Sequence, residues 1–142
     1  MTDNDRFKAG LEMRRKVLGV DHVERSLANA SPFAHPIQEL VTEYCWGEVW
    51  GRSGLGLRER SLINLAMLTA LNRPEELKLH VRGALNNGCS VEEIQETLLQ
   101  TAVYCGVPAA ISAFRIAQGV IDELGRQPAG GDADGESEQG ER

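Results

Sequence analysis

Large apolar runs, paired cysteines and positive charge are all scarce in this 142-residue chain. No stretch approaches the roughly 18 consecutive apolar residues that cross a bilayer, and Met1-Thr2-Asp3-Asn4-Asp5 lacks the basic-then-apolar order of a secretory leader, so a cytoplasmic protein with no membrane partner is expected. Cys45, Cys89 and Cys105 are odd in number and far apart, and no Cys-x-x-Cys occurs. They read as reduced structural thiols. His22, His35 and His80 show no metal-ligand spacing either, so no metal is expected. A net charge of −6 argues against nucleic acid, which needs a basic face. Alternating β-branched runs are also missing, which excludes a sheet-based domain.

What remains is helical periodicity. A first helix is expected from about Asp5 to Leu18 with Gly19 as its stop, and a second from Asp21 to about Asn29. After Ser31-Pro32, a third begins near Pro36 and carries Ile37, Leu40, Val41 and Tyr44 toward the core. Gly51-Arg52-Ser53-Gly54-Leu55-Gly56 lacks the Lys-Ser/Thr ending of a phosphate loop and reads as a turn. The segment from Leu57 to Leu71 is apolar on nearly every side and predicts a central buried helix. Asn72-Arg73-Pro74 turns it into an antiparallel hairpin with a helix ending at Gly88. Ser90 and Glu93 form a capping box for the next helix, and Ala110, Ala113, Phe114, Ala117, Ile121 and Leu124 line the last. The fold class is all-α: a single compact domain of six or seven helices over residues 1–125. Residues 126–142 hold five acids, two arginines and no large apolar side chain, and read as a disordered acidic tail.

Four residues stand out chemically. His80 sits against the stripe of Leu77, Val81, Ala84 and Leu85, where it is either a core hydrogen-bonding group or the proton-transfer group of a pocket. Continuing the third helix's period past Tyr44 lands on Glu48, a carboxylate on an apolar stripe that is either paired with an arginine or part of a site. Trp46 and Trp50 at four-residue spacing read as packing residues. Arg58 and Arg60 lie in a helical first turn, where cations oppose the dipole; they either bind an anion or pair with Glu59, Glu48 or a neighbouring subunit.

Taken in order, Arg14-Arg15-Lys16-Val17-Leu18-Gly19, Trp46-Gly47-Glu48-Val49-Trp50, Arg58-Glu59-Arg60-Ser61-Leu62, the run from His80 to Gly88 and Tyr104-Cys105-Gly106-Val107-Pro108-Ala109-Ala110 strongly resemble the carboxymuconolactone decarboxylase family over roughly residues 6–124. The resemblance places the chain in the alkylhydroperoxidase-like superfamily, whose peroxidases carry a Cys-x-x-Cys one helical turn before a histidine. Arg73 and Glu76 stand at those positions here, so the dithiol is missing and the decarboxylase branch is favoured. The resemblance implies cofactor-free conversion of 4-carboxymuconolactone to the enol-lactone of 3-oxoadipate and carbon dioxide in protocatechuate breakdown. It implies a lactone dicarboxylate as the small-molecule partner and a homo-oligomer, a hexamer by family. His80 then protonates carbon, Glu48 orients or recharges it, and Arg58 and Arg60 take the acetate arm and the oxyanion. Alternatives are a related lactone decarboxylase, a peroxidase-like protein using isolated cysteines, and a non-catalytic helical module.

Overall fold

The computed structural model describes residues 2–126 of the chain. All but one residue of the expected acidic tail lies outside them. Every regular element among the described residues is helical. Helix α1 (Asp3–Leu18) begins with a capping box in which Thr2 and Asp5 satisfy each other's backbone N–H, and it ends at Gly19, whose φ of 92° a side chain would resist. Helix α2 (Val20–Ala28) follows at once, so Asp21 lies in its first turn and Gly19 at its cap. Helix α3 (His35–Leu40) runs without a break into a π-helical segment, Val41–Val49. The remaining helices are α4 (Leu57–Ala70), α5 (Pro74–Asn86), α6 (Val91–Tyr104) and α7 (Val107–Arg126). No described helix is long and apolar enough to cross a membrane.

Two apolar clusters share α5 as a common wall. One joins α4 through α7 by way of Leu65, Leu77, Val81, Ala84, Ile94, Leu98, Ala117 and Val120. The other joins α1, α2 and the π segment through Val17, Leu18, Val23, Trp46 and Trp50, with Leu57 and Leu79 packed against it. At the open end of the α4–α5 hairpin Asn86 donates to the Val17 carbonyl of α1 at 2.8 Å, and Asn87 closes the hairpin on itself by donating to the Ser61 hydroxyl of α4 at 2.9 Å.

The tightest seam lies between α1 and the π segment. A Cβ on Gly10 would overlap the Thr42 carbonyl oxygen, and one on Gly47 would overlap the Arg6 carbonyl oxygen. The two backbones therefore touch, and no other residue type fits either position without moving a helix.

The expected inward face of the third helix is exposed, and its buried face passes into the π segment. Each hydrogen bond there spans five residues, as in Trp50 N–H to the Cys45 carbonyl at 3.0 Å, so every residue turns through a smaller angle than in an α-helix. The buried stripe becomes Thr42, Trp46 and Trp50, at 0%, 4% and 7% exposure. Ile37, Leu40 and Tyr44, expected in the core, are more than half exposed. Helix α4 is likewise covered on one face: Ser61, Leu65 and Thr69 are buried, while Ile63 and Met67 reach solvent. Cys105 is exposed as well, at the end of α6, where its surroundings had suggested a structural thiol.

Gly10→Ala should weaken the α1 seam through overpacking against a backbone oxygen, costing about 1 to 3 kcal/mol. Urea unfolding monitored by tryptophan fluorescence checks this, and an unchanged midpoint would mean that the seam yields freely.

Candidate active site

His80 occupies the boundary between the two apolar clusters. Its neighbours in the helix, Leu79 and Val81, belong one to each. The Trp46 and Trp50 rings stack on one another at 4.8 Å, and each lies 6.1 Å from the His80 ring centroid with nearly parallel planes. Trp46 and Trp50 are packing residues as their spacing suggested, and what they pack is the imidazole. From α4, the Asn64 carboxamide nitrogen lies 3.4 Å from His80 Nδ1. An amide N–H there donates to Nδ1, which leaves the proton of the neutral ring on Nε2.

Burial pushes the His80 pKa down to about 4, because the apolar surroundings disfavour imidazolium. The charge that works against this is Glu76, one turn earlier in α5. At neutral pH the free protein thus holds an uncharged imidazole.

Glu48 is not brought to His80. It is half exposed on the far side of the π segment, where its carboxylate lies 3.8 Å from Arg6, and it lines an open cavity of about 550 Å³ with Arg6, Gly47 and Arg52. The expectation extended the stripe of Ile37, Leu40 and Tyr44 to residue 48, and that stripe faces outward from Ile37 and Leu40 on, before the π segment begins.

The two arginines of α4 differ. Arg58 is engaged by Glu93 of α6 and lies 3.6 Å from Glu59, an exposed structural pairing. Arg60 makes no ion pair with a described residue; its Nη2 donates to the Arg52 carbonyl at 3.2 Å and its Nε is buried without a partner. Arg60 precedes Asn64 by one helical turn, so both lie on one face of α4. Since Asn64 meets His80, antiparallel register sets Arg60 opposite Ala84, one turn from the imidazole.

Sequence reasoning missed Asn64, which has no motif around it, and Arg14. The latter is buried on α1 and bonded to Thr42. Both tryptophans and Thr42 could have been grouped by following a four-residue repeat through the third helix. A second cavity, of about 440 Å³, opens between α2 and α5 and is lined by His22, Glu75, Glu76, Lys78, Leu79 and Arg82. No group of three or more His, Cys, Asp or Glu side chains among the described residues is arranged to hold a metal ion.

Residues 36–119 match the model of the carboxymuconolactone decarboxylase family. The chain is 43% identical over 128 residues to a 4-carboxymuconolactone decarboxylase of Acinetobacter baylyi, covering 90% of this chain and 96% of that one. It is 46% identical over 118 residues to a nitrosuccinic acid decarboxylase of Metarhizium robertsii, covering 83% and 82%. A 4-carboxymuconolactone decarboxylase of Pseudomonas putida matches at 38% over 48 residues, 34% of this chain and all of that one. With the family model spanning the π segment, the hairpin and both later helices, the chain belongs to the carboxymuconolactone decarboxylase family.

Proposed function

We propose that this protein is a carboxy-lyase that converts 4-carboxymuconolactone to 3-oxoadipate enol-lactone and carbon dioxide, a cytoplasmic step of protocatechuate breakdown. The observation that carries the reading is a histidine flanked by Trp46, Trp50 and Asn64, in a chain whose relatives include named decarboxylases.

The substrate supplies its own electron sink. As the bond to the departing carboxylate breaks, its electron pair moves through the ring double bond onto the lactone carbonyl oxygen. Carbon dioxide leaves and a dienolate remains. A proton delivered to the carbon α to the carbonyl completes the enol-lactone, so no redox equivalent is consumed. The protein must hold the dicarboxylate, stabilise the oxyanion and deliver the proton.

His80 is the proton donor in this reading. Its neutral state in the free protein fits the order of events: a dianion entering beside the ring favours the charged imidazole and raises the lowered pKa at the moment a proton is needed. Arg60, without an acidic partner among the described residues and one turn from Asn64, is placed to meet the lactone oxyanion. Arg58 stays with its carboxylates, and Glu48 stays with Arg6.

The fungal relative's name gives specific ground for a second reading. Nitrosuccinate and 4-carboxymuconolactone share a succinate unit in which the carbon losing carbon dioxide bears an electron sink, nitro in one and vinylogous lactone in the other. Parallel assays of carbon dioxide release from the two compounds decide between them.

Homo-oligomerisation, to a hexamer, belongs to the same proposal. Phe33, Val103 and Tyr104 are 96%, 77% and 80% exposed, more apolar surface than a solitary chain keeps. Light scattering should give a mass several times that of the chain at micromolar concentration; a fully active monomer would contradict this.

His80→Ala should fold and lose about 10² to 10⁴ in turnover, the effect of removing a positioned acid. In deuterium oxide the wild type should place one deuterium stereoselectively at the α carbon, and the variant should lose that selectivity. Wild-type turnover in the folded variant would return His80 to a packing role.

The pH profile tests the electrostatics. Because Glu76 raises the His80 pKa, Glu76→Gln should move the basic limb of kcat/KM to lower pH, whereas Glu48→Gln should leave it in place. The sign for stability follows as well. Between the unfolded value of 6.5 and the folded value of about 4, the unfolded chain binds the extra proton, so His80 costs stability as pH falls through that window and nothing above it. Acid titration of the urea midpoint reads this as the difference between wild type and His80→Gln, since the variant keeps the other titrating groups, His22 among them.

A further inference from the structure

We infer that Arg14 anchors a carboxylate of the substrate, the acid arm that is retained in the product. The inference rests on reading the protein as a decarboxylase of dicarboxylates.

Arg14 is 6% exposed, the one charged side chain among the buried described residues. Its Nη1 donates to the Thr42 hydroxyl at 3.2 Å, and that hydroxyl donates onward to the Gln38 carbonyl at 2.7 Å. Its Nε is buried with no partner. Arg6, Arg15, Arg58 and Arg82 have carboxylate partners; Arg14, like the more exposed Arg25, Arg52, Arg60, Arg73 and Arg115, has none among the described residues, and it alone of these is buried. Taking an unpaired cation out of water costs several kcal/mol, and one neutral hydrogen bond returns about 1. A guanidinium in that state has the charge and the planar donor fork for a carboxylate.

Its position suits the reaction. Thr42 and Trp46 are consecutive members of the buried stripe of the π segment; Arg14 holds the first and His80 stacks on the second. Between α2 and α5 lies a cavity of about 440 Å³ whose lining includes His22 and, next to His80 in α5, Leu79; Arg14 and His80 do not line it. That volume falls within the range for small-molecule sites.

The retained arm, rather than the departing carboxylate, is the right partner. An ion pair to the group that must lose its charge stabilises the ground state and opposes reaction, whereas an ion pair to the spectator acid persists through the transition state. The succinate unit common to the relatives' named substrates supplies such a spectator in each case.

Arg14→Met and Arg14→Lys in the full chain test this, with succinate as a dicarboxylate probe and propionate as its one-carboxylate control. Arg14→Met should weaken succinate binding and raise KM by about 10- to 100-fold, the loss of charged hydrogen bonds of about 1.5 to 3 kcal/mol, and should bring the succinate affinity down to that of propionate. The melting temperature of the ligand-free variant should hold or rise, because an uncompensated buried charge has been removed. Arg14→Lys, which keeps the charge and loses the fork, should fall between; it serves alone if Arg14→Met does not fold. Wild-type succinate affinity and KM in either variant would overturn the inference. So would a lower ligand-free melting temperature or a smaller particle mass without a change in binding, which would assign the carboxylate to a second copy or to residues 127–142. If the wild type binds succinate through Arg14 but releases no carbon dioxide from 4-carboxymuconolactone, the substrate reading fails and the anchor stands. Turnover with an unchanged KM in Arg14→Met gives the reverse.

Discussion

Backbone contact between α1 and the π segment at Gly10 and Gly47 sets the position of everything around His80. Because neither glycine leaves room for a side chain, the π segment sits against α1 in a fixed register, and its Thr42, Trp46 and Trp50 face inward. The tryptophans then form one wall for the imidazole carried by α5, Thr42 meets Arg14, and Asn64 of α4 meets the ring at Nδ1. Gly83 repeats the device on α5, where a Cβ would come within 3.1 Å of Val17 Cγ1. Small residues at seams thus bring large functional side chains together elsewhere.

The enclosure produces an imidazole that is neutral when the protein is empty. That state suits a substrate carrying two negative charges, since the ligand itself supplies the field that recharges the ring. A carboxylate permanently paired with His80 would fix the imidazolium beforehand and would repel the incoming dianion. Glu76, near enough to raise the pKa without restoring its ordinary value, gives a partial bias of that kind. The buried, unpaired Arg14 follows the same logic with the opposite sign: both groups are uncomfortable in the free protein in ways that an anionic ligand relieves.

The helices were legible in the sequence because their ends carry local chemistry. Gly19 stops α1, Ser90 and Glu93 cap α6, and Pro74 opens the second arm of the hairpin that carries His80. His80 itself was legible as a polar residue on an apolar stripe. Glu48 was misplaced because it was assigned to the stripe of Ile37, Leu40 and Tyr44, an apolar face that is exposed in the single chain from its first turn. Ile37, Leu40, Ile63 and Met67 look like core residues and are exposed in the single chain. Periodicity reports that a face is apolar but not what covers it. Arg14 and Asn64 were invisible as site residues because their roles depend on long-range contacts, with Thr42 in one case and His80 in the other.

The claim on which this account turns is that His80 is uncharged in the free protein and gains its proton when a dicarboxylate binds. Nitrogen-15 NMR of labelled histidine, assigned with His80→Gln, measures it by titrating the His80 ring with and without saturating succinate. The account predicts a pKa near 4 in the free protein and a rise on binding. An ordinary value near 6.5 that succinate does not move would contradict it.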